Sequence, residues 1–134
     1  MTTPIPHLPV SNGEAAITFY QKAFGATLES KMPAEDGQRL MHVALKLGGG
    51  TLMLHDEFPE YGSYGGAKAP TSLGGASCTI HLDFEDADAA FDQAVSAGAS
   101  IIMPLANQFW GMRYGQVKDP FGHVWSIGGP VKPE

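Results

Sequence analysis

The stretch from residue 109 to 114, Phe-Trp-Gly-Met-Arg-Tyr, gathers the side chains best suited to gripping a small molecule. An Arg beside aromatic rings at the mouth of a cleft can hold a carboxylate or phosphate through paired hydrogen bonds, because its guanidinium is a rigid fork of donors. Phe109, Trp110 and Tyr114 can stack on a planar ligand. A structural role competes evenly: Trp110-Gly111 can hold a hairpin, and Arg113 can cap a carbonyl or pair with an acid. Among the histidines, His42 and His123 fall in no pattern, and His123, just after a turn, reads as a surface hairpin residue. The single cysteine, Cys78, cannot form an internal disulfide. At the head of an apolar run it reads as a buried structural thiol. Asp83, Glu85, Asp86 and Asp88 surround a helix start, where dipole compensation and solvation account for them. No phosphate-binding glycine loop, nucleophile elbow or paired-cysteine zinc site occurs.

A chain of 134 residues, 43% hydrophobic and 16% charged, has enough apolar material for a core and too much for disorder. One compact unit, or two small halves sharing a core, is expected. The formal net charge is −6 and Lys and Arg total only 8, without a basic run, so no nucleic-acid partner is expected. The opening MTTPIPHLPV has neither a basic n-region nor a long apolar stretch. No signal peptide, transmembrane segment or membrane partner is expected, and the cytoplasm is the expected compartment.

Ile5 to Val10 reads as an edge strand, since Pro6 and Pro9 cannot donate to a ladder. Asn12 reads as an N-cap, with Glu14 in the first turn. Apolar residues at Ala16, Ile17, Phe19, Tyr20, Ala23 and Phe24 follow helical spacing, and Gly25 ends the helix. Strands are expected at Ala26 to Met32, Leu40 to Leu47 and Thr51 to His55. Glu57 to Gly75, rich in Gly and Pro, reads as a linker or mobile loop, with Tyr61 and Tyr64 able to fold over a ligand or simply to pack the loop down. The pattern then restarts. Ser77 to Phe84 is a strand, Asp86 an N-cap, Ala87 to Ala97 a helix ended by Gly98, and Ser100 to Pro104 a strand. Met112 to Val117 and His123 to Ile127 flank Asp119-Pro120-Phe121-Gly122, a turn by composition, so they form a hairpin with Trp125 on its core side.

The halves superpose. His7 precedes Asn12 as His81 precedes Asp86, and Phe19 and Gln21 match Phe91 and Gln93, a period of about 72 to 74 residues. Each half runs βαβββ. One helix covers one face of a four-stranded sheet, and the other face needs a partner. The expected fold is α+β: two βαβββ modules, residues 1–56 and 76–130, joined by residues 57–75 into one domain. They would form a curved eight-stranded mixed sheet around a cleft, the natural ligand site.

Val10-Ser11-Asn12 leading into Ala16-Ile17-Thr18-Phe19-Tyr20 and Phe24-Gly25-Ala26 resembles the first module of the vicinal oxygen chelate superfamily, which holds glyoxalase I, bleomycin and fosfomycin resistance proteins and extradiol dioxygenases. Asp119-Pro120-Phe121-Gly122-His123 resembles its final hairpin. Trp110-Gly111-x-Arg113-x-Gly115 followed by Trp125 resembles its PhnB-like branch. The resemblance implies metal ligands on four strands, at positions held here by Ile5, Met53, Thr79 and Ser126. A thioether and two hydroxyls are poor ligands for a catalytic divalent cation. His7, His55 and His81 each lie two residues further on, which in a strand keeps the same face. They are expected to line the cleft, or alternatively to hold a shifted divalent metal.

The resemblance therefore implies a protein binding a small organic ligand through His7, His55, His81, Trp110, Arg113 and Tyr114, without the usual metal and with no cofactor. One alternative is a metal-dependent lyase, isomerase, dioxygenase or thiol transferase using the shifted histidines. Another is a dimeric interaction protein with a vestigial cleft. Members commonly pair two chains, sometimes by exchanging modules, so a homodimer is expected.

Overall fold

The computed structural model describes residues 2–133. Asn12 caps the first helix as its composition demands, its side chain accepting from the Ala15 amide, and Gly25 closes it at φ 71°. The chain runs β1 (His7–Val10), α1 (Gly13–Phe24), β2 (Thr27–Pro33), β3 (Leu40–Leu47) and β4 (Gly50–Asp56). After a 3₁₀ turn (Pro59–Gly65) and the one-turn helix α2 (Pro70–Leu73) come β5 (Thr79–Asp83), α3 (Ala87–Ala97), β6 (Ser100–Asn107), β7 (Arg113–Lys118) and β8 (Val124–Gly129). The sheets have strand orders β1-β4-β3-β2 and β5-β8-β7-β6. In each, the first strand runs parallel to the last and the other pairs are antiparallel. This is the α+β architecture of two βαβββ modules that the repeat predicts.

One feature of the expected sheet differs. The eight strands stay as two sheets of four, and among the described residues no ladder joins β1 to β5. The modules meet through their helices instead. α1 packs on α3, Gln93 Nε2 donates to the Lys22 carbonyl at 2.7 Å, and Tyr20 and Phe24 lie against Trp125. Period-2 alternation sends Val43, Leu45, Leu54, Val117, Trp125 and Ile127 into this shared core. The sheet faces away from the helices are consequently left open.

Two buried carboxylates fasten the chain. Asp119, at the head of the final turn, accepts from the Tyr20 hydroxyl, the Trp125 indole N–H and the amides of Phe121 and His123. Asp56 accepts from the amides of Gly13 and Leu40 at 2.8 and 2.7 Å.

Three local expectations are revised. His123 is buried, not a surface residue, because its Nε2 donates to the Pro9 carbonyl at 2.8 Å and ties the last hairpin to β1. Cys78 is exposed rather than buried, since it precedes β5 and lies outside the alternating core pattern. β6 runs on past Pro104 to Asn107, with its ladder shifted between Met103 and Ala106 so that the proline's missing donor is tolerated. The Gly- and Pro-rich segment carries short turns of its own. Arg39 pairs with Asp36 and Glu60 and lies 4.4 Å over the Phe58 ring. Glu57 accepts from the Ala69 amide and the Ser72 hydroxyl. Tyr61 stacks on Phe58, while Tyr64 is fully exposed. Among the described residues no helix is long and apolar enough to cross a membrane.

Candidate functional site

Alternation along each strand sorts the candidate residues by face. In the first module, Val43, Leu45, Leu52 and Leu54 point to α1. The opposite face carries His7 on β1, His42 on β3 and His55 on β4. The His7 ring meets those of His55 and His42 edge-on, at centroid separations of 4.9 and 5.9 Å. Burial, and then the neighbouring His55 and His42, hold the His7 pKa below the ordinary imidazole value. His55 is buried, and its Nδ1 donates to the Asp56 carbonyl at 2.7 Å. Gly66 of the loop lies over it: a Cβ there would come within 3.3 Å of the His55 ring, and the φ of +83° also demands glycine.

In the second module, the open face carries His81 on β5, Tyr114 and Gln116 on β7 and Ser126 on β8. His81 stacks nearly parallel on Tyr114, with centroids 5.8 Å apart. Trp110 meets Tyr114 edge-on at 5.5 Å, and Phe109 meets Trp110 at 5.1 Å. Four rings therefore form a continuous wall that begins in the sheet and ends in the β6–β7 loop. Its outer end is open, with Trp110 49% and Phe109 97% exposed. A groove of about 410 Å³ lies between the modules on the core side of β5, lined by Ile80, Leu82 and Trp125 with Leu52 and the segment Thr3 to Pro6, and of the four rings it reaches only His81. Gln116 Nε2 donates to the Tyr114 hydroxyl at 3.1 Å.

The structure thus brings His7 and His55 together, and separately His81, Tyr114 and Trp110. Arg113 lies on the helix side of β7, where its guanidinium grips both oxygens of Asp88 at the start of α3 and also reaches Asn107. That is the acid-pairing role left open by the sequence, and it holds the Asp88 carboxyl below the usual carboxylate range. His42, not singled out beforehand, joins His7. The signal for it was the period-2 pattern of β3, which sets His42 on the face opposite Val43 and Leu45. Ser126 and Asp83 were likewise not recognised as partners of His81. His81 Nδ1 meets Ser126 Oγ at 2.7 Å, and Nε2 meets Asp83 Oδ1 at 2.8 Å.

The residues at the implied metal positions do not fit a divalent cation. Ile5 precedes β1 and is exposed, Met53 offers a thioether, Thr79 a hydroxyl, and the Ser126 hydroxyl is engaged by His81. Among the described residues no group of three or more His, Cys, Asp or Glu is placed to hold a metal ion, and His81 stands in a different module from His7 and His55.

Two βαβββ modules joined through their helices, each with one sheet face under a helix and the other open and lined by imidazoles and aromatics, define a protein of two repeated sheet-and-helix units. Residues 4–127 match the model of the Glyoxalase/Bleomycin resistance protein/Dioxygenase superfamily, and the chain belongs to that superfamily. It is 49% identical over 127 residues to an uncharacterized protein of Mycobacterium bovis, covering 95% of this chain and 82% of that one. Among solved structures it is similar to TioX from Micromonospora sp. ML1, with a TM-score of 0.74 and 27% identity, covering 98% of this chain and all of that one. It is also similar to a gene product of Arabidopsis thaliana, with a TM-score of 0.73 and 30% identity, covering 95% and 98% of the two chains.

Proposed function

We propose that this chain is a PhnB-like, cytoplasmic member of the superfamily that binds a small planar organic ligand without the usual metal. The observation that carries the reading is the wall of four rings from His81 through Tyr114 and Trp110 to Phe109, packed at the inner end and open at the outer. Rings fixed edge-on and stacked offer a further aromatic surface the same geometry at little entropic cost. A ligand laid on this wall has one side covered. The other side is supplied by a second copy of the chain, whose first-module face, with His7, His42 and His55, is open in the same way. Exposed Met32 and the exposed aromatics of the β6–β7 loop are the surfaces this pairing would bury. Light scattering of the purified protein at micromolar concentration is expected to give twice the 14.2 kDa chain mass. A monomer would remove the second wall.

Ligand binding is tested with 8-anilinonaphthalene-1-sulfonate, a planar aromatic probe. Its emission is expected to rise on titration, with quenching of Trp110, which is 49% exposed. Trp110→Ala is expected to weaken the probe by about tenfold or more, as truncating an aromatic anchor does. Equal affinity in Trp110→Ala and Tyr114→Ala would overturn the reading.

A further inference from the structure

We propose that Asp83, His81 and Ser126 form a proton relay that makes Ser126 a nucleophile toward small esters bound on the aromatic wall. The inference rests on the same face as the ligand-binding reading and adds a reaction to it. A carboxylate only accepts hydrogen bonds, so the 2.8 Å contact to Asp83 requires the proton of neutral His81 on Nε2. Nδ1 then carries the lone pair, and the Ser126 hydroxyl, 2.7 Å away, donates into it. The serine proton is already aimed at a base whose far side is held by an acid. This is the order of groups that activates a serine in acyl transfer, with the two ring nitrogens exchanged.

The surroundings suit the arrangement. Ser126 lies on β8 between β5 and β7, on the sheet face that no helix covers, but its side chain is buried, 2% exposed, against the His81 ring, so an ester reaches its Oγ only as that ring shifts aside. Gly128, on the same face of the same strand, leaves room for the relay: a Cβ there would come within 2.9 Å of His81 Cε1 and 3.2 Å of Asp83 Oδ1. Gln116 is paired directly opposite Ser126, and its amide is a donor on that face for a developing oxyanion. Tyr114, stacked on His81, places an electron-rich ring against the imidazolium that forms.

In the first step Ser126 Oγ bonds to the ester carbonyl carbon and His81 Nδ1 takes the hydroxyl proton. The tetrahedral adduct collapses, the bond to the leaving oxygen breaks, and the same proton passes to that oxygen, releasing an alcohol. Water then attacks the acyl-Ser126, delivering its proton through His81, and releases a carboxylic acid and free serine. Ser126 and His81 are the reacting groups. Asp83 is a positioning residue that fixes the imidazole and stabilises its charged form.

The test uses diisopropyl fluorophosphate on the full chain carrying Cys78→Ser, which removes the exposed thiol as a competing nucleophile. Fluoride leaves as the Ser126 Oγ–phosphorus bond forms. Trypsin cuts after Lys118 but not between Lys132 and Pro133, and the resulting peptide 119–134 contains a single serine, Ser126, so mass spectrometry locates the adduct without ambiguity. Labelling of that peptide is expected, and His81→Gln is expected to slow it by about a hundredfold or more. Asp83→Asn is expected to slow it by about tenfold and Asp83→Glu to restore it, with the affinity for 8-anilinonaphthalene-1-sulfonate unchanged in both. An unlabelled peptide in protein that binds the dye would overturn the relay and leave the cleft, as would an equal rate in His81→Gln. Labelling of Ser126 in protein that does not bind the dye would support the relay and overturn the ligand wall.

Discussion

Replacing Asp119 by Ala lowers the stability of the chain by about 3–5 kcal/mol, the range in which a buried polar network is broken. Asp119 is 4% exposed, and its two oxygens satisfy four donors. Two are amides of the turn itself, at Phe121 and His123. The other two reach across the core: the Tyr20 hydroxyl from α1 and the Trp125 indole from β8. Alanine leaves all four donors without their carboxylate acceptor in a buried site. Each orphaned donor carries a desolvation cost of about 1–3 kcal/mol, partly relieved by local relaxation. The carboxylate also acts on Tyr20, whose pKa lies well above the ordinary phenol value, first through burial and then through the Asp119 charge. Urea unfolding followed by Trp125 emission measures the loss. A change below about 1 kcal/mol would mean that the clasp is not what joins the modules.

The second large effect is expected at Asp56. Its carboxylate ends β4 and bridges the first amide of α1 to the first amide of β3, at Gly13 and Leu40. Gly13 is glycine because a Cβ there would lie 2.7 Å from Asp56 Oδ2. Asp56→Ala leaves two buried amides unpaired, including one at a helix N-terminus where a negative charge is favoured, so a loss of about 2–3 kcal/mol is expected. Asp56→Asn keeps an acceptor for only one of the two amides and is expected to fall between Asp56→Ala and the native chain. Hydrogen exchange at Gly13 and Leu40 reads the effect locally: both amides should exchange faster in Asp56→Ala. Unchanged protection would show that other contacts hold the two element starts.

The two modules were legible because their punctuation is local. Asn12 and Asp86 cap helices that Gly25 and Gly98 close, and both caps accept from the amide three residues on. The core side of Trp125 followed from alternation alone. What was not legible depends on partners distant in sequence. Nothing near Arg113 shows that Asp88 takes it to the helix side, or that His123 reaches back to Pro9. Cys78 looked buried because apolar residues follow it, yet the strand begins only at Thr79. The way the modules meet was equally hidden. A βαβββ repeat fixes which face each helix covers, and leaves open whether the free faces turn to each other or to another chain. The candidacy of His81 follows from its place two residues beyond Thr79 on the same strand face, whereas its bonds to Ser126 and Asp83 come from β5 lying parallel to β8.

Under the proposed function, a ligand lies on the ring wall of the second module. A crystal structure of the chain with 8-anilinonaphthalene-1-sulfonate tests it most directly. The naphthalene ring is expected in stacking contact with Trp110 or Tyr114, on the sheet face opposite α3. A dye seated elsewhere, with the Trp110 and Tyr114 faces bare, would contradict it.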